Sequence, residues 1–215
     1  MGSLEWYGGQ GPVLLSDQNI GTADDVGFIY YDENFLSQDE AGAIRDLILE
    51  WEPVVKDSFP NAYAGAAPDA LTGRHPFFNW LNVPEFYAIV GPKLQSAFRI
   101  AFPQKSEFGV QCWANTFREN EGIAWHKHED ETTGKFFCAH LFIEGDANDS
   151  ATHYQVGNDV VAIPNKRGAF YVFDSAIYHA VALRKVTSTR ISIAFDMLEY
   201  DANEKRFWRF HHLKF

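Results

Sequence analysis

The sequence predicts a mainly β chain with N-terminal helices, an α+β arrangement in which an antiparallel sandwich or barrel is backed by helices. Three observations predict it. Helical periodicity is confined to the first half of the 215 residues. From Glu107 onward, strand-like runs follow one another, parted by turn-rich links such as EGDANDS (144–150) and PNKRG (164–168). No strand–helix–strand alternation occurs, which argues against a doubly wound parallel sheet. The length fits a single domain. It divides into an N-terminal arm and helical layer (1–106), a β core (107–200) and a C-terminal tail (201–215).

The elements follow in order. The first 25 residues are Gly-rich and read as a loose arm. VGFIYYDENF (26–35) reads as a short strand. In SQDEAGAIRDLILEWEPV, Ser37 and Glu40 form a capping box, and Ile44, Leu47, Ile48 and Trp51 repeat at helical spacing. Pro53 is expected to end this helix. Residues 59–75, rich in Gly, Ala and Pro, read as a long loop of functional or mobile kind. A second helix is expected from Pro84, with Pro92 kinking or splitting it. Strands are expected at 108–117, 135–143, 158–163, 168–174, 178–185 and 190–199.

Composition narrows the function. Hydrophobic residues make up 46% and aromatic residues 16%, a globular balance. A formal charge of −11 repels a polyanion, which argues against nucleic acid as the partner. No run approaches a membrane span, and the N-terminus lacks the layout of a signal peptide. Cys112 and Cys138 each sit in an apolar run and read as core residues, so a reducing cytoplasm is the expected location.

The chemistry concentrates in AWHKHEDE (124–131). In an extended segment alternate side chains face one way, so His126, His128 and Asp130 share a side. His128 and Asp130 can reach one metal from one strand end, and His179, 49 residues further on, is the candidate for a third ligand. Two histidines and a carboxylate with open positions make the facial triad of non-haem Fe(II) oxygenases. RISIAFDM begins eleven residues after His179. There Arg190, Ser192, Ala194 and Asp196 point one way, and Ile191, Ile193, Phe195 and Met197 the other. A guanidinium inside a barrel calls for an anion, and a carboxylate held by Arg190 with a bond from Ser192 supplies one.

His-x-Asp, a distal His and Arg-x-Ser together resemble the Fe(II)/2-oxoglutarate-dependent oxygenase superfamily, over residues 108–199 above all. The capped helix after DENFLSQDE resembles the entry to its prolyl-hydroxylase-like branch. The resemblance implies a double-stranded β-helix (jelly roll, cupin-like) backed by helices. It implies that His128, Asp130 and His179 bind Fe(II), and that Arg190, assisted by Ser192, binds the distal carboxylate of 2-oxoglutarate. WANTFRENEG (113–122) is similar to the strand that often offers the cosubstrate an Asn-x-Tyr pair; here Asn115 is present and Phe117 replaces the Tyr. Gly168 matches the turn before the strand leading to the distal His. Two departures concern the substrate: prolyl hydroxylases typically use Lys where this chain has Arg190, and their paired glycines near 150 are replaced by DSATHYQ. The implied activity is hydroxylation of an unactivated C–H bond with O₂, releasing succinate and CO₂. The implied substrate is an amino acid, a peptidyl residue (proline included) or another small metabolite. A metal-bound Asp130 argues for hydroxylation, since related halogenases lack that carboxylate.

Two rival readings remain. A cupin-type metalloenzyme would use His126 with His128 and no keto acid. A binding module on the same fold would be catalytically silent. Within the favoured reading His126 stands beside the metal site, and His140 either lines the pocket or sits in the core. Trp113 and Trp125 read as packing, Arg74 and Arg118 as solvated charges, and His211 and His212 as tail residues. The loops 59–75 and 144–156 are expected to shape the substrate pocket.

Overall fold

A computed structural model describes residues 28–62, 70–128, 136–146, 151–200 and 210–215. Helix α1 (Gln38–Ser58) starts where the capping box places it. The Glu40 amide donates to the Ser37 hydroxyl, and the Ser37 amide donates to the Glu40 carboxylate. Its buried stripe is Ala41, Ile44, Ile48, Glu52 and Val55. Helix α2 (Pro84–Ala101) takes Pro84 at its first position and buries Phe86, Val90, Leu94, Ala97 and Phe98.

Pro53 was expected to end its helix and Pro92 to kink or split the second; the first helix does not end there and the second is not split. α1 runs five residues past Pro53, and α2 passes Pro92 as one helix. The physical reason is position. Pro53 and Pro92 are exposed, and so are Leu49 and Ala88, four residues before them, whose carbonyls lose their helical donors. Those carbonyls can turn to water. A helix-interior Pro costs about 3 kcal/mol. Each fully buried Val, Leu or Phe returns roughly 1.5–3 kcal/mol, so the inner faces carry the helices through.

The strands form two antiparallel sheets. Chain order gives β1 (Phe28–Asp32), β2 (Glu107–Phe117), β3 (Ile123–His126), β4 (Phe137–Glu144), β5 (Thr152–Val156), β6 (Asp159–Ile163), β7 (Phe170–Asp174), β8 (His179–Val181), β9 (Arg190–Glu199) and β10 (His211–Lys214). The larger sheet runs β1-β7-β4-β9-β2-β10 and the smaller β3-β8-β5-β6. Three strands went unread or half-read in the sequence. β5 lies within the segment expected as a loop, β10 within the tail, and β3 covers only the first part of the extended segment around 124–130. β1 and β10 complete the larger sheet from outside 107–200.

Period-two alternation sorts the larger sheet into two faces. Phe108, Val110, Cys112 and Ala114 of β2, Leu141 of β4, and Ile191, Ile193, Phe195 and Met197 of β9 join the buried residues of α1 and α2 in one core. The opposite face carries Trp113, Asn115 and Phe117 of β2, His140 of β4, and Arg190, Ser192, Ala194 and Asp196 of β9. That face meets the smaller sheet across a cavity. A second core of Cys138, Phe142, Tyr154, Tyr171 and Phe173 closes the space beside it. Gly168, at φ +87°, makes the turn into β7; a Cβ there would lie 2.4 Å from the Leu36 carbonyl oxygen. Both cysteines are free and buried. Among the described residues no helix is long and apolar enough to cross a membrane.

Candidate functional site

A cavity of about 330 Å³ lies between the sheets, with histidines at one end and a guanidinium at the other. β3 and β8 pair antiparallel with His126 opposite His179. Directly opposed residues have neighbouring side chains, and these two ring centroids lie 4.3 Å apart. His128 follows two residues on, its ring 5.3 Å from that of His126 and 5.1 Å from that of His179. One nitrogen from each of the three lies within 4.8 Å of the other two.

Each ring is oriented from behind through Nδ1. His126 Nδ1 faces the Ala124 carbonyl at 2.8 Å, and His179 Nδ1 faces the Ile177 carbonyl at 3.1 Å. His128 Nδ1 faces an Asp196 carboxylate oxygen at 2.5 Å. Carbonyl and carboxylate oxygens only accept, so Nδ1 is the donor in His128 and His179 and their Nε2 carries the lone pair, while the His126 ring has a further backbone hydrogen bond, to His179. Burial, reinforced by neighbouring imidazoles, lowers His126 to about 4 and holds His179 well below the ordinary histidine range. Both are neutral at pH 7, the state a metal requires. His126, expected beside the site, is one of the three clustered rings. Asp130 lies outside the described residues.

Asp196 also accepts from the Cys138 thiol at 3.4 Å. His128, Cys138 and Asp196 therefore make a second close group. Burial raises the Cys138 thiol well above its ordinary value, so it stays protonated and acts as a donor.

At the far end Arg190 is 1% exposed. It donates to the Ser192 hydroxyl and to the Thr152 hydroxyl, both at 2.8 Å. The Phe117 and Phe142 rings flank its guanidinium at 5.7 Å. Burial lowers its pKa to about 9, which leaves it charged at neutral pH. Asn115 sits opposite Ser192 in the β2–β9 register. Its side-chain oxygen is buried with no hydrogen-bond partner among the described residues. His140, held well below the ordinary range by burial, meets the Tyr154 hydroxyl at 2.6 Å and lines the cavity between the two ends.

The structure thus brings His128, His179, Arg190, Ser192 and Asn115 to one cavity, as the sequence reading expected. Thr152 was missed. Its signal was the alternation of Thr152, Tyr154 and Val156 with polar residues in a stretch taken for a loop. Trp113 lines the cavity and stacks on His128 at 5.6 Å. Two expected surface charges are engaged. Arg74 is buried and donates to the Ala70 carbonyl, and Arg118 grips Glu52 of α1 through two bonds of 2.9 and 2.7 Å. From the segment 59–75, Thr72 and His75 reach the cavity wall.

No family model matches the chain, and neither does any curated protein sequence. Solved structures do. A prolyl-4-hydroxylase of Pseudomonas putida aligns at 13% identity with a TM-score of 0.61, over 83% of this chain and 96% of that one. A Trichoplax adhaerens prolyl hydroxylase, solved with a hypoxia-inducible-factor peptide, aligns at 14% and 0.60 over 82% and 86%. The alpha-ketoglutarate-dependent carbocyclase SnoK of nogalamycin biosynthesis aligns at 14% and 0.62 over 89% and 88%. The fold is that of the 2-oxoglutarate/Fe(II) oxygenases. The likeness to prolyl hydroxylases read from the sequence reappears among these neighbours. The oxygenase fold is also host to a carbocyclase and an epimerase, so it does not choose among reactions.

Proposed function

We propose that the chain is an Fe(II)- and 2-oxoglutarate-dependent oxygenase that hydroxylates an amino acid, a peptidyl residue or another small metabolite. The observation that carries this reading is one cavity holding a histidine cluster at one end and a buried guanidinium flanked by hydroxyls at the other. The donor set fits the metal, since neutral imidazole nitrogens suit Fe(II). His128 and His179 would hold it, with the third ligand from the segment 126–130, Asp130 in the set that the sequence resemblance implies. When bound, iron supplies the activation of O₂, and 2-oxoglutarate is consumed to succinate and CO₂ as oxygen enters the product.

The chain's own residues bind and orient. Arg190 presents its fork to the distal carboxylate of 2-oxoglutarate. The Ser192 oxygen accepts from Arg190 and keeps its own hydrogen to donate to the same carboxylate. Asn115, facing the cavity from the neighbouring strand, is the further polar group for the cosubstrate. Phe117 and Phe142 keep water from the guanidinium, and Asp196 fixes the His128 ring. Trp113 and His75, in ring contact at 5.2 Å, form the wall that a substrate meets. A peptidyl substrate is in keeping with the Trichoplax neighbour, which carries a peptide.

A second reading, a metalloenzyme on this fold that uses no keto acid, is favoured by the place of His126 among the clustered rings. Anaerobic titration of the Fe(II)-loaded protein with 2-oxoglutarate separates the two. The first reading expects a weak visible charge-transfer band. It also expects Arg190→Met to weaken 2-oxoglutarate binding by at least about thirtyfold, the loss of one partner of a buried charge pair. Absence of the band with iron bound would install the second reading.

A further inference from the structure

We infer that His140 is a binding residue for the keto acid: a run of hydrogen bonds starting at Arg190 fixes its ring so that Nε2–H faces the cavity and donates to the metal-end oxygens of bound 2-oxoglutarate. This rests on the oxygenase reading and adds to it a donor that the sequence resemblance does not assign.

Strand position puts the ring in the right place. His140 of β4 is opposite Ala194 of β9. Ala194 stands between Ser192, which is bonded to Arg190, and Asp196, which is bonded to His128. It adds only a methyl group to that row, so the cavity continues past the His140 ring from one end to the other. The ring lies 5.1 Å from that of His179, on the metal side. Its Nδ1 is bonded to the Tyr154 hydroxyl at 2.6 Å. Among the described residues Nε2 has no hydrogen bond, and it is not sealed from the cavity. A buried ring nitrogen without a partner is costly, and the cavity is where a partner arrives.

The hydrogen bonds behind the ring choose its tautomer. Arg190 donates to the Thr152 hydroxyl at 2.8 Å, so the Thr152 oxygen is an acceptor. Thr152 and Tyr154 stand two residues apart on β5, on one side of the strand, and their hydroxyls are hydrogen-bonded. Tyr154 in turn meets His140 Nδ1. A guanidinium only donates, so a run that begins there keeps one sense: Arg190 to Thr152, Thr152 to Tyr154, Tyr154 to His140. Each hydroxyl then donates once and accepts once, and each bond polarises the next. The opposite sense would make Thr152 accept from both sides and break that polarisation. With Nδ1 accepting, the ring hydrogen is on Nε2. His128 and His179 carry theirs on Nδ1 and turn a lone pair to the site. His140 turns an N–H to it instead. An N–H cannot ligate a metal, so this ring is left to an oxygen of the acid that runs from the metal end to Arg190.

Long-range proton–nitrogen correlation NMR of the isotope-labelled, metal-free full chain reads the tautomer without metal, keto acid or turnover. His140, assigned by the cross-peaks that His140→Gln removes, should show a protonated Nε2 and an unprotonated Nδ1. Tyr154→Phe should lose that preference. A protonated Nδ1 in the wild type would overturn the inference. Calorimetric titration of the Zn(II)-loaded chain with 2-oxoglutarate reads the role. His140→Leu should weaken binding by about 10–100-fold, the loss of one hydrogen bond to a charged group, and leave the Zn(II) affinity in place. His140→Gln keeps an N–H donor and should recover most of that loss, which a merely structural role would not predict. Wild-type affinity for 2-oxoglutarate in His140→Leu would overturn the inference and leave the oxygenase reading standing. Absence of binding in the wild type would overturn both.

Discussion

Replacing Glu52 with Gln tests how α1 is fastened to the strand that carries Asn115. Glu52 is a carboxylate on the buried stripe of a helix, 4% exposed. Burial alone would raise its pKa. Arg118 donates to both oxygens, Lys56 lies 2.8 Å away and Thr116 donates at 2.9 Å, and together they reverse the effect, taking it from 4.5 to about 2. A shift of that size corresponds to about 3 kcal/mol at 1.36 kcal/mol per unit. The Arg118 side chain is 43% exposed, and solvent screening reduces the figure to about 1–2 kcal/mol. The sign follows from linkage. The folded pKa is depressed, so the contribution is fully present above about 4.5 and is lost as pH falls toward about 2. Urea unfolding at pH 7 and at stepped values down to pH 2 is the assay. Glu52→Gln should be less stable than the wild type by about 1–2 kcal/mol at pH 7, and the gap should close through the acid range. A gap that stays constant with pH, or no gap at pH 7, would refute the reasoning.

Two further substitutions follow from backbone geometry. Gly122→Ala places a Cβ 2.6 Å from the Val181 carbonyl oxygen and 2.9 Å from that of Ala182, both on the β8 side of the β3–β8 pair. Overpacking of this kind costs about 1–3 kcal/mol. The expected result is a lower Tm with weaker Co(II) binding, because the His126–His179 pair sits on the same ladder; wild-type Co(II) affinity would contradict it. Pro92→Ala restores the amide that α2 lacks opposite the Ala88 carbonyl. The helix gains up to about 3 kcal/mol and the unfolded chain gains back about 0.4–1 kcal/mol of entropy. Urea unfolding should show a net stabilisation of about 1–2 kcal/mol, and unchanged or reduced stability would count against the account of the prolines given above.

Where local rules and burial agree, the chain reads true from sequence. The capping box at Ser37 and Glu40 predicts a helix start, and both of its hydrogen bonds are present. The alternation of Arg190, Ser192, Ala194 and Asp196 with four apolar residues predicts β9 and its two faces, and those faces divide between the cavity and the helical core. Where tertiary burial decides, local rules mislead. Pro53 and Pro92 are helix breakers on propensity, yet they sit on exposed faces of helices held by their inner sides. β10 has one buried residue, Leu213, and exists through pairing with β2, a partner that no local pattern names. Thr152 was lost for a similar reason, since β5 is five residues long and its pairing with β6 and β8 fixes it more than its composition does.

The third metal ligand shows where period-two reasoning stops. His126, His128 and Asp130 obey one alternation, so a pair of ligands two residues apart can be drawn as 126 with 128 or as 128 with 130. Shifting the choice by one step leaves every side chain on the same side, so the alternation itself offers nothing to break the tie, and the choice of 128 with 130 came from the family resemblance. Cross-strand register speaks for the described residues alone, and Asp130 is not among them. His179 is opposed to His126, and the ring that follows two residues later is His128, whose remote nitrogen is already committed to Asp196. A carboxylate is therefore present at the centre in either drawing. What the two drawings do not share is the ion's third ligand, His126 in one and Asp130 in the other, whereas Asp196 orients the His128 ring in both, through one hydrogen bond across 68 residues of sequence.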